Sequence, residues 1–273
     1  MPNLVHRYMT KTFTNPQPPG FADFLRGTIA LYQYSKQYNY KIKIDINSHP
    51  VFQFLDMPEE YSVSLKNDTY TIEILPPLLY EAMPSIFNTI LNDNSDDIYV
   101  MTNAFYREHP DISEEFSIMK RILTPNKQLK DYIDHIKSNI KIDFTKPYEI
   151  IHVRLGDDCL INKKGIVPDR LNRVRMLIQE IKVNTGNPIL LIGDSKHLKD
   201  SISDLCETTQ TVPIHTGLLD NELVNERVLM TLGEFFLLSM SNKIHCINIW
   251  NDGSGFSRIC SKIYSIEYLC YQV

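Results

Sequence analysis

Hydrophobic positions in this chain alternate between two periods, and the switch from one to the other marks out its elements. The opening residues read as a strand that runs into a loop dense in Pro and Gly, NPQPPG at 15–20. From Phe21 the period lengthens. Phe21, Leu25, Thr28, Ile29 and Tyr32 recur at helical spacing, which predicts an amphipathic helix over FADFLRGTIALYQYSKQY. KIKIDI at 41–46 alternates and predicts a strand. The order strand, Gly loop, helix, strand opens a parallel α/β layer. Further on, SVSLKNDTYTIEIL (62–75) predicts one or two strands and DDIYVMT (96–102) another. Ser113 to Asn139 has a helical pattern broken near Pro125.

The second half is more regular. EIIHV (149–153) is a short β-branched run followed by a polar loop, and RVRMLIQEI (173–181) puts Val174, Leu177, Ile178 and Ile181 on one helical face. PILLIGD (188–194), TVPIH (211–215) and KIHCINI (243–249) predict three more strands, with helices at 196–205 and 225–240 between them. This alternation predicts a doubly wound parallel sheet, in which ligands bind beyond the carboxyl ends of the strands. The break near Pro125 divides the chain into an N-terminal domain, 1–125, and a C-terminal domain, 126–273, whose last helix is free to pack back on the first.

Composition narrows the class. At 273 residues, 43% hydrophobic and 22% charged, the chain is long enough for two compact domains or one large one and has ample apolar material for a core. A net charge of −5 argues against a nucleic-acid partner, so any phosphate must be met by a few placed cations. Cys159, Cys206, Cys246, Cys260 and Cys270 are odd in number and form no Cys-x-x-Cys pair. That favours reduced thiols over disulfides or structural zinc. No secretory h-region and no membrane-length apolar run is visible, which predicts a cytoplasmic protein without an integral membrane segment.

Four segments that follow or flank the predicted strands carry candidate chemistry. His152 to Asp158 (HVRLGDD) puts Arg154 at a strand end, where a guanidinium can grip a diphosphate; Asp157 and Asp158 either hold that arginine or face an acceptor. The alternative is a structural Arg–Asp pair. Gly20 to Gly27 (GFADFLRG) offers helix-start N–H groups to an anion, although Asp23 and Arg26, three apart, can simply pair. Asp194 and Ser195 follow the next strand; Asp194 suits a guanine edge or ribose hydroxyls, and either residue suits a helix N-cap. Ser254, Gly255, Phe256 and Ser257 follow the last strand, where small hydroxyls and helix-start amides suit phosphate oxygens. The histidines show no metal spacing, His245 reads as packed, and Trp250 reads as core or interface. No metal site is predicted.

In combination and in this order, G-x-x-D-x-x-R-G before a helix, H-V-R-x-G-D after a strand, G-D-S after the next and a closing S-G-F-S resemble the GDP-fucose-dependent fucosyltransferase superfamily. That group includes α1,2-, α1,6- and protein O-fucosyltransferases. The resemblance spans residues 20–27 and 150–260 and is sharpest at HVRLGD and SGFS. It implies an α/β fold of GT-B type, two facing Rossmann-like domains with parallel sheets, the second binding the donor. It also implies that Arg154 holds the donor β-phosphate, Asp194 the guanosine, and Ser254 and Ser257 phosphate oxygens, with Gly20 and Asp23 lining the cleft opposite. His152, Arg26, Ser195, Gly255 and Phe256 fall within the same motifs. The implied activity is inverting, metal-independent transfer of L-fucose from GDP-fucose to a glycan or glycoprotein hydroxyl. It needs no cofactor, since the nucleotide sugar is a substrate, and Asp157, Asp158 or Asp23 would serve as base. The chain is short for the superfamily, and Leu155 stands where α1,6-type members carry a second arginine. Other readings are a transferase on the same scaffold with UDP-xylose or GDP-rhamnose as donor, or a non-catalytic nucleotide-sugar or glycan-binding protein. A Rossmann oxidoreductase lacks its G-x-G-x-x-G here.

Overall fold

The computed structural model describes residues 1–8, 19–66, 71–74, 82–92, 96–156, 166–193, 195–211, 216 and 224–273. Two compact units are present: Met1–Asn126 with Thr216–Asp220, and Lys127–His215 with Asn221–Val273.

In the first unit, strands β1 (Asn3–His6), β2 (Lys41–Asp45), β3 (Ser62–Val63), β4 (Ile72–Ile74) and β5 (Ile98–Thr102) form one sheet in the order β3-β2-β1-β5-β4. Every pairing in it is parallel. Helices α1 (Phe21–Tyr38), α2 (Ala82–Asn92) and α3 (Ser113–Ile122) flank it. Helix α1 ends at Asn39, whose left-handed φ of 59° is a conformation asparagine tolerates well. Leu4, Ala30, Leu31, Tyr34, Phe87 and Val100 meet in its core. Gly27 lets α1 lie against β5, because a Cβ there would stand 2.3 Å from the Thr102 carbonyl oxygen. Helix α2 has no counterpart in the sequence pattern read above.

The second unit holds α4 (Lys127–Ser138), β6 (Glu149–Arg154), α5 (Pro168–Asn184), β7 (Ile189–Gly193), α6 (Lys196–Ile202), β8 (Glu207–Thr208), α7 (Val224–Ser239), β9 (Lys243–Asn248), α8 (Gly255–Tyr264) and β10 (Glu267–Gln272). The sheet order is β10-β9-β6-β7-β8, again with parallel pairings throughout. Strand β7 is buried at all five positions and β6 at its first five, as expected of strands covered on both faces. Chain order reverses between β6 and β9, so the topological switch point lies there.

The strand expected at 211–215 falls almost wholly on residues 212–215, which lie outside the described residues; just before it a two-residue strand, Glu207–Thr208, pairs with β7. There Lys199 Nζ donates to the Thr211 carbonyl oxygen (2.9 Å) and to the Thr209 and Thr211 hydroxyls (2.9 and 3.0 Å). The sheet also gains an edge strand, β10, whose largely exposed positions disguised it.

Candidate functional site

At the switch point of the second unit, β6 ends on Arg154 directly beside Asn248, the last residue of β9. Gly156, at φ +100°, turns the chain out of β6, and a Cβ there would meet Ile249 Cδ1 at 2.9 Å. From β9 the chain passes through a tight turn into α8. Asn248 is fully buried and anchors that turn by accepting the Trp250 N–H at 2.7 Å. Gly253, at φ +81°, completes it; a Cβ there would stand 2.3 Å from the Tyr268 hydroxyl. Ser254 is the N-cap of α8 but makes no side-chain capping bond, so the first-turn amides lack the usual cap. The guanidinium of Arg154 lies over the Trp250 ring, 5.6 Å from its centroid, which is cation–π distance. A half-buried cation and the positive end of a ten-residue helix therefore meet at one edge, an arrangement that attracts anions.

His152 stands one turn of the pleat below. It is 5% exposed, and its Nδ1 lies 2.8 Å from Ser257 Oγ. Burial lowers its pKa to about 3, with the charges of Arg154 and Lys199 acting in the same direction. The ring is therefore neutral and ties α8 to β6, while Phe256 tilts against it at 5.9 Å and packs on Phe235. Ser195 caps α6, its Oγ accepting the Leu198 N–H at 3.1 Å. Asp157, Asp158 and Asp194 lie outside the described residues.

The remaining sequence-derived candidates sit in the first unit. The Gly20 N–H donates to Asp23 Oδ2 at 3.1 Å, and Arg26 forms an ion pair with Asp23 Oδ1. The start of α1 is thus already occupied by its own carboxylate, which competes with any external anion there. Beside it a ring stack closes the carboxyl end of β1: His6 on Phe24 (4.4 Å), Phe24 on Tyr8 (4.8 Å) and Tyr8 on His49 (4.0 Å). His6 Nε2 reaches the Thr102 carbonyl at 3.0 Å, and His49 Nε2 reaches that of Thr216 at 2.7 Å. Burial holds both imidazoles neutral, at about 3 and about 4.

Two features of the second unit are not foretold by the sequence. Trp250, read there as core or interface, is 41% exposed and lies beside Arg154, and its only sequence signal is its place two residues beyond a strand. Lys199 pairs with Glu234 at 2.6 Å, both 3% exposed. Nothing in a lone Lys and a Glu 35 residues apart foretells that contact.

The arrangement has known counterparts in fold. NodZ α-1,6-fucosyltransferase co-crystallized with GDP matches with a TM-score of 0.57 and 16% identity, over 95% of this chain and 91% of that one. NodZ from Bradyrhizobium matches likewise at 0.57, and a mutant of Arabidopsis thaliana FUT1 in complex with GDP matches at 0.55 and 11% identity, over 100% and 71%. No protein-family model and no curated protein sequence matches the chain. The fold is therefore GT-B, the two-sheet α/β architecture of these transferases. Among the described residues, no helix is long and apolar enough to cross a membrane, and no group of three or more His, Cys, Asp or Glu could hold a metal.

Proposed function

We propose that the chain is an inverting, metal-independent glycosyltransferase that moves L-fucose from GDP-fucose to a hydroxyl of a glycan or glycoprotein. The observation that supports this most is the meeting of Arg154 with the α8 N-terminus at the β6/β9 switch point. In the reaction the acceptor oxygen forms a bond to the sugar anomeric carbon as the bond to the β-phosphate oxygen breaks. The electron pair leaves with GDP, and the acceptor proton passes to a carboxylate, with Asp157, Asp158 and Asp23 as candidates. Arg154 neutralises the departing diphosphate, assisted by the α8 amides that follow Ser254, while the buried Ser257 hydroxyl is taken by His152. Asp194 holds the guanosine.

Fold similarity at 11–16% identity supports a transferase scaffold and leaves the donor to be tested. The decisive comparison is a panel of GDP-fucose, GDP-rhamnose and UDP-xylose, read as donor hydrolysis and transfer with and without EDTA. We expect turnover with GDP-fucose, full activity in EDTA, and a fall of about 10²–10³ in kcat for Arg154→Ala, the scale of losing one preorganised donor of transition-state charge. Wild-type turnover in Arg154→Ala refutes the mechanism. GDP binding without hydrolysis of any donor points instead to a binding protein.

A further inference from the structure

A second cleft lies wholly within the first unit, between the later turns of α1 and the segment that follows β5. It measures about 250 Å³ and is lined by Gln33, Lys36, Gln37, Phe105, Arg107 and Glu115, among others. Sites for drug-sized ligands run to roughly 300–1,000 Å³, so this one suits a single ring better than a nucleotide. Gln33 lies thirteen residues along α1 from Gly20, about 20 Å at the helical rise.

Three features define what it would take. Glu115 is 3% exposed; its Oε1 lies 3.1 Å from His109 Nε2, while its Oε2 is buried with no hydrogen-bond partner. A buried carboxylate oxygen left in that state is costly, and a ligand that brings a donor removes the cost. Phe105 is 40% exposed, with the Arg26 guanidinium stacked 3.9 Å from the ring centroid. It offers an apolar platform at the rim. The wall is rigid, because the Gln33 side chain both donates to the Arg107 carbonyl and accepts its N–H, each at 2.8 Å. A wall already ordered loses little entropy on binding.

Charge then selects the ligand. The buried Glu115 carboxylate opposes an anion, and Arg107 at the wall opposes a cation, while Lys36 is held by Glu114. What fits is a neutral ring with hydroxyl donors on its edge and an apolar C–H face for Phe105, which describes a sugar. We propose that this cleft is a saccharide subsite that holds a neutral sugar ring through Glu115 and Phe105. On the transferase reading given above, that ring is a distal unit of the acceptor glycan, since the cleft lies far along α1 from Gly20.

The test is saturation-transfer NMR and calorimetry of the full chain with neutral tri- to hexasaccharides of glucose, galactose, xylose and N-acetylglucosamine. At least one should bind the wild type. Phe105→Ala should weaken it about tenfold, and Glu115→Gln should weaken it by a smaller factor, since an amide nitrogen cannot accept. Gln37→Ala, at an exposed helix position, is the second variant should either of these misfold. The melting shift produced by GDP should be the same in all variants. Absence of binding by every saccharide, wild-type affinity in Phe105→Ala and Gln37→Ala, or preferential binding of an arginine-rich peptide would overturn the proposal. If saccharides bind as described but GDP does not, the subsite stands and the transferase reading falls.

Discussion

Three buried histidines, His6, His49 and His152, should make this protein lose stability at a pH above that at which the depressed carboxyls of the described residues titrate. Burial lowers their pKa to about 3, 4 and 3 from an ordinary value near 6.5. The folded state therefore binds no proton at these sites above pH 5, while the unfolded chain takes up all three as pH falls through 6.5. Stability rises with pH wherever the unfolded state holds more protons, so the contribution is complete above about pH 7 and is lost below it. Each histidine loses about 1.4 kcal/mol between pH 7.5 and 5.5, giving roughly 4 kcal/mol for three, a large share of a normal folding free energy. The depressed carboxyls of Glu114, Asp143, Glu149 and Asp204 lose their contributions only below their unfolded values near pH 4, outside this range. Urea unfolding at pH 7.5, 6.5 and 5.5 reads the loss directly. Circular dichroism follows both units, and Trp250, the single tryptophan, reports the second. If the units unfold separately, the tryptophan transition should show one proton and the remainder two. His152→Asn lowers the starting stability, yet it should flatten the slope by one proton. A total loss under about 1 kcal/mol, or an unchanged slope in His152→Asn, refutes the reasoning.

Other consequences are as direct. Glu234→Gln leaves Lys199 as a buried cation without its counter-charge and should cost about 3–5 kcal/mol by urea unfolding, whereas replacing both with apolar residues of similar volume should recover most of that. Gly27→Ala places a Cβ 2.3 Å from a backbone carbonyl oxygen and should cost at least about 2 kcal/mol, seen as a lower Tm. On the proposed function, GDP should shift Trp250 fluorescence. Trp250→Ala should weaken GDP by about fivefold, some 1 kcal/mol in calorimetry, and Trp250→Phe should keep most of the affinity.

What the sequence disclosed follows a physical rule. Strands buried on both faces announce themselves as unbroken β-branched runs, which is why EIIHV and ILLI were legible, and the residues after them inherit the site position from topology alone. Edge strand β10 and the two-residue β8 carry no such run, because one face is wet or the strand is too short to show a period. The Asp23–Arg26 pair was legible at i,i+3 spacing. Trp250 over Arg154 and Lys199 against Glu234 were not, since both need the sheet to bring distant chain together. Glu115 was hidden for a further reason. An acidic residue in the first turn of a helix looks like ordinary dipole complementation, and only its 3% exposure distinguishes it.

Strand β6 holds the backbone of Arg154 in place. Its first residue, Glu149, accepts from Thr185 (2.7 Å), Asn187 (2.9 Å) and His245 (2.6 Å), which fixes the strand at its amino end to α5 and β9. Its fourth residue, His152, holds Ser257 and so fixes α8. With both ends of the strand pinned, the sixth residue has little backbone freedom, and Trp250 constrains what its side chain retains. Preorganisation of this kind lets a cation act on a developing charge without first being reoriented. On the proposed function, Ser257→Ala, two residues into α8 and enclosed by protein, should lower kcat by loosening the α8 amides, with stability falling by the cost of one buried hydrogen bond, about 1 kcal/mol in urea unfolding. If kcat holds while the midpoint falls, the bond between His152 and Ser257 supports the fold alone.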